Sequence, residues 1–118
     1  MDSFGSIQGP NGGNASFQSV VRHTGKGKTI GNFHYDDPAS GLSFDGIKIS
    51  GLTFISSNHA RFSGIAKLSR KKQYSFTVDA YDNGPSGAGD QFLITISNGY
   101  SPGGVLTSGD IDIGSCSE

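Results

Sequence analysis

The sequence has no tryptophan, one methionine, one cysteine and no long apolar run. Each shortage excludes something. A lone cysteine, Cys116, cannot close an intramolecular disulfide, which argues against a disulfide framework and does not decide the compartment. Its GSCSE context supplies no neighbouring base, and it reads as an inert tail residue rather than a nucleophile. A membrane-spanning helix needs about 18 or more consecutive apolar residues, and no segment approaches that length. Excess charge is also missing. Nine Lys and Arg against ten Asp and Glu give a formal net charge of -1, so nothing electrostatic favours a nucleic-acid partner. The one basic run, Ser69-Arg-Lys-Lys72, has no aromatic stacking platform and reads as a solvated hairpin tip. The opening MDSFGSIQGPNGGNAS lacks the basic-then-apolar build of a signal peptide, which does not exclude secretion of a parent protein.

What the chain has in quantity is glycine, 19 of 118 residues. Glycine is costly inside helices but suits turns and bulges. The apolar residues alternate. Tyr74, Phe76, Val78 and Ala80 share one face against Ser75, Thr77 and Asp79. Phe92, Ile94 and Ile96 repeat the pattern, as do Ala60, Phe62, Gly64, Ala66 and Leu68. Ala15, Phe17, Ser19 and Val21 form a weaker version, and Phe33 and Tyr35 mark another strand. A period of two is the signature of half-buried strands, and no window carries a helical stripe.

Turn residues divide these runs at Thr24–Gly27, Asp37–Gly41, Ser56–Asn58, Ser69–Lys72 and Asn98–Gly104. The apolar phase slips between Phe44 and Ile47, as at a bulge or tight turn, and Gly109-Asp110 reads the same way. The expected fold is all-β: about eight strands in an antiparallel barrel or two-sheet sandwich, with little or no helix. The expected division is a flexible segment over 1–13, one β-domain over 14–113 and a tail over 114–118. Ile65 and Leu93, on the opposite face, are expected to cover barrel ends or to make contacts between molecules.

Chemistry-bearing residues concentrate in DAYDNGPSGAGDQF. Asp79, Asp82, Asn83 and Asp90 offer three carboxylates and an amide around a glycine-rich backbone, a donor set suited to calcium. The same residues suit a plain turn, because Asp and Asn cap their own backbone and glycine accepts positive φ. Both readings stand at this level. His23, His34 and His59 lie on separate runs with no short ligand pair, which argues against zinc. His34 beside Asp36 and Asp37 has the makings of acid–base chemistry, but its place in an alternating strand reads as a side chain facing water. No nucleophile-elbow context surrounds any serine. Phe17, Phe33, Phe44, Phe54, Phe62, Phe76 and Phe92 read mostly as core. Tyr81 and Tyr100, in or beside loops, are the candidates for stacking on a bound sugar.

The order of short motifs is more specific than any one of them. It runs Ala15-Ser-Phe17, Gly31-Asn-Phe-His-Tyr35, Gly41-Leu-Ser-Phe44, Ala60-Arg-Phe-Ser-Gly64 and Tyr74-Ser-Phe-Thr-Val-Asp-Ala-Tyr-Asp82. It continues with Gly89-Asp-Gln-Phe-Leu-Ile-Thr-Ile96 and Gly104-Val-Leu-Thr-Ser-Gly-Asp-Ile-Asp-Ile113. This order resembles the post-choice-of-anchor type of β-domain found in large secreted bacterial proteins, over roughly Asn14 to Ile113. The resemblance implies a secreted or cell-envelope module joined to other domains, and it brings no catalytic residues. Leader and anchor segments are not in this chain, which fits a fragment of a larger protein. The expected function is a non-catalytic extracellular module for adhesion, display or spacing, with calcium as the possible stabilising ion. Its expected partners are other domains of the parent or extracellular surface components. The alternatives are a small-ligand or carbohydrate-binding barrel and a compact barrel enzyme of cyclase or isomerase type.

Overall fold

The computed structural model describes residues 2–8, 13–23, 28–67, 73–83, 89–97, 99–101 and 103–113. The turn expected at Thr24–Gly27, the Ser69–Lys72 tip, Leu68, residues 84–88 of the acidic segment and the tail with Cys116 lie outside the described residues. So does the His23 side chain.

Alternation becomes strand wherever one face can be buried. The strands are β1 (Asp2–Gln8), β2 (Asn14–His23), β3 (Thr29–Asp37), β4 (Leu42–Ser56) and β5 (His59–Lys67). They continue with β6 (Gln73–Tyr81), β7 (Gln91–Ile96), β8 (Gly103–Val105) and β9 (Ser108–Asp112). The only helical element described is a single 3-10 turn, Pro38–Ser40, closed by Gly41 in the left-handed region (φ 67°). No described helix is long and apolar enough to cross a membrane.

All pairings are antiparallel, in the order β8-β7-β6-β5-β4-β3-β2-β1-β9. The sheet is a meander from β1 to β8, and β9 then adds to the far edge beside β1. Only Leu106 and Thr107 separate β8 from β9. The Leu106 N–H donates to the Asp90 carbonyl on the β7 side at 2.9 Å, and the Thr107 N–H donates to the Ser6 carbonyl of β1 at 2.7 Å. Two neighbouring residues thus tie opposite edges of one curled sheet.

The curl turns one face inward, and aromatic rings fill it. Phe17 of β2 stacks on Phe92 of β7 with ring centres 3.8 Å apart. Phe33 meets Phe44, Phe62 and Phe76 at 5.3 to 5.7 Å. Around them Val78, Ala80, Ile94, Ile96, Ile111 and Ile7 are buried. Burial of this kind is the main stabilising term, about 1.5–3 kcal/mol for each large apolar side chain. Gly64 is required where β4 leans on β5, because a Cβ there would run into the Lys48 carbonyl and the Phe76 ring.

Two expectations change. The segment expected to be flexible over 1–13 contains β1, which pairs with β2 and β9 and buries Ser3 and Ile7. Phe54, grouped with the core phenylalanines, is 47% exposed. It lies beyond a shift in register between Ser50 and Thr53 and just before another between Phe54 and Ser56. Such shifts break the simple inside–outside alternation on which its placement rested. The slip anticipated near Ile47 is present as a register shift between Gly46 and Lys48, whereas β1 and β9 stay in register through Gly109.

Candidate functional site

Asp79 leaves the acidic segment for the outer face. Its Oδ1 accepts from His59 Nε2 and Arg61 Nε, each at 2.8 Å. Cross-strand register explains this, since Arg61 stands opposite Asp79 and His59 opposite Tyr81. The His59 ring stacks on Tyr81 at 4.1 Å.

Asp82 and Asp90 turn the other way, toward β9. Asp90 is fully buried. Its Oδ1 accepts the Asn83 N–H at 2.8 Å and its Oδ2 accepts the Ile111 N–H at 2.9 Å. Asp82 Oδ2 accepts the Ile113 N–H at 3.2 Å. Asn83 donates from Nδ2 to the Gly89 carbonyl at 3.0 Å and accepts from Asn58 Nδ2 at 2.8 Å. The side chains proposed from sequence as calcium ligands therefore divide between two places. Among the described residues, no group of three or more His, Cys, Asp or Glu is placed to hold a metal ion.

Asp110, which the sequence did not single out, joins the second place. Burial, a hydrogen bond with Asp90 and the negative charges of Asp90 and Asp82 hold its carboxyl above the ordinary aspartate value. Like charges this close disfavour joint ionisation. The only signal for it in sequence was its place between Gly109 and Ile111, beside the Ile111 N–H that Asp90 accepts.

Tyr100 does not share a face with Tyr81. Its hydroxyl donates to Asp37 Oδ2 at 2.5 Å and lies 2.8 Å from the Tyr35 hydroxyl. Asp37 is fully buried, and its Oδ1 receives no hydrogen bond from the described residues. Burial is the main cause that pushes the Tyr35 phenol up to about 12; the Asp37 charge adds to it and the hydrogen bond with Tyr100 partly offsets it. Burial and the hydrogen bonds to Asp37 and Tyr35 push Tyr100 up as well. The tyrosine expected to stack on a sugar instead has its hydroxyl in an inner network.

His34, expected simply to face water, is half exposed and paired. Its Nδ1 lies 2.7 Å from Asp45 Oδ1. Both side chains line an open hollow of about 280 Å³ with Gln18, Val20, Asn32 and Gly46. One carboxylate, not two, meets the imidazole there.

Fold and sites together define a class: an all-β chain whose antiparallel sheet curls into a half-barrel over an aromatic interior. Comparison with protein families, with curated proteins and with solved structures returns no match.

Proposed function

We propose that the chain is a non-catalytic β-module of a larger secreted or cell-envelope protein, of the post-choice-of-anchor kind, serving display or spacing beside other domains. The observation that carries this reading is the filled interior. A cyclase- or isomerase-type barrel reserves that space for substrate, with polar groups converging on it. Here Phe17 and Phe92 are in stacking contact across it, with Phe33, Phe62 and Phe76 around them. The polar clusters bind the chain to itself: Asp90 and Asp82 hold backbone amides near the C-terminal strand. A spacer needs that kind of rigidity.

Two measurements test the proposal. The isolated chain should melt in one reversible, cooperative transition, as an autonomous domain does. Fractionation of cells that make the parent protein should place the domain outside the cytoplasm, open to added protease. A cytoplasmic, protease-shielded location would overturn the reading, as would non-cooperative melting.

A further inference from the structure

The outer face of β1 to β4 carries an arrangement that the spacer role does not use. Register places Phe4, Gln18, His34 and Asp45 in one cross-strand row, with Phe4 opposite Gln18, Gln18 opposite His34 and His34 opposite Asp45. Asn32 stands in the next row, opposite Val20. The β3–β4 ladder ends at the His34–Asp45 pair, and β4 then passes through the Gly46/Lys48 shift into its pairing with β5. No residue of β4 is registered against Asn32 or Phe33, and the sheet opens there into the hollow of about 280 Å³.

We propose that this hollow is a binding site for a neutral monosaccharide or a single sugar residue of a glycan. The chemistry of its rim carries the assignment. Asp45 supplies a carboxylate acceptor, Gln18 and Asn32 supply amides that both donate and accept, and His34 supplies an imidazole held by Asp45. Vicinal hydroxyls require that mixture, since each donates one hydrogen bond and accepts others. Hydrogen bonds to a carboxylate are about twice as strong as neutral ones. A carboxylate already paired with an imidazole gives no net positive charge, so anions are not favoured. The size also limits the ligand: about 280 Å³ falls just below the roughly 300–1,000 Å³ typical of ligand sites, room for a single small ring.

Phe4 lies outside the lining of the hollow, in the same row, as an apolar side chain 58% exposed between Gln18 of β2 and Asp110 of β9. A ring in that position offers a face for the C–H surface of a pyranose, as aromatic groups do at polar sites. The proposal is independent of the spacer role, because the site lies on the outer surface and needs no catalytic group.

The test is amide-resolved NMR of the intact chain, titrated separately with glucose, galactose, mannose and N-acetylglucosamine. One or more should give saturable shifts confined to Phe4, Gln18, Asn32, His34, Asp45 and their neighbours. The expected dissociation constant is on the order of 1 mM. Gln18→Ala and Asn32→Ala should each weaken binding by about tenfold, the value of one or two hydrogen bonds. Both residues are exposed, so an unchanged melting temperature separates lost binding from lost fold. The proposal falls if none of the four sugars moves these resonances, if shifts persist in both variants, or if they map to the Tyr81 end instead. Recovery of a chemically altered sugar would overturn the non-catalytic reading and leave the site standing.

Discussion

The Asp90 carboxylate accepts the Ile111 backbone N–H at 2.9 Å while its other oxygen accepts Asn83 N–H. A residue at the entrance to β7 is thereby fastened to β9, which lies at the opposite edge of the sheet. Through these two hydrogen bonds Asp90 acts as a latch between the start of β7 and β9.

Removing the latch should be costly. Asp90→Ala leaves two amides without their acceptor, at about 1–3 kcal/mol for each one that stays buried. Denaturant unfolding should show a loss of roughly 2–5 kcal/mol, and hydrogen exchange at Ile111 should accelerate ahead of that at Phe92. Asp90→Asn, which keeps one acceptor oxygen, should lose less.

Calcium should leave the protein unmoved. Both Asp90 oxygens are engaged by backbone amides, and Asp79 is held by His59 and Arg61. The melting temperature should be the same in excess chelator and in millimolar calcium. A functioning site would add about 2.7 kcal/mol at 100 times its dissociation constant, which such a comparison would detect.

Asp110 gives a signed pH effect. Its folded-state carboxyl binds a proton more tightly than an ordinary aspartate of value 3.8. Its contribution to stability is therefore greatest in acid, and it declines as pH rises from the ordinary value through the raised one. Asp110→Asn should stabilise the protein at neutral pH, with the gain shrinking on acidification. Melting curves of the two proteins across that range decide it.

The tyrosine network predicts an alkaline limit. The Tyr35 phenol is raised from 10.0 to about 12, so the unfolded chain loses this proton before the folded one does. Stability from this group is intact below pH 10 and falls as the pH climbs toward 12. Tyr100→Phe removes the hydroxyl that donates to buried Asp37 and should cost about 2–4 kcal/mol by denaturant unfolding at neutral pH.

The inner faces of β5, β6 and β7 were legible in the sequence because small or apolar residues recur at every second position against polar neighbours, with Phe62, Phe76, Phe92 and Ile94 as their large members. β1 was not, since its inward positions are Ser3, Gly5 and Ile7, with only one large apolar side chain among them. β1 is also brought close to its partner by Gly5 facing Gly109, where a side chain on either would strike the other strand. The acidic segment could be recognised as a turn, but the partner of Asp90 lies 21 residues away at Ile111 and no local pattern announces it. The His34–Asp45 pair was within reach. Counting back equally from the Asp37–Leu42 register across the Asp37–Gly41 turn sets the two side chains opposite each other.

Joining the sheet's two edges through Leu106 and Thr107 has a kinetic consequence. β1 finds its second neighbour, β9, only after about 100 intervening residues have been made, so the last strand synthesised pairs with the first. Non-local pairing of this kind slows folding, because loop-closure entropy is lost before the contacts form. During synthesis, β1 must wait with one edge unpaired, open to strands of neighbouring chains. The interval between emergence of β1 and arrival of β9 is therefore the window in which two copies of this chain can exchange strands.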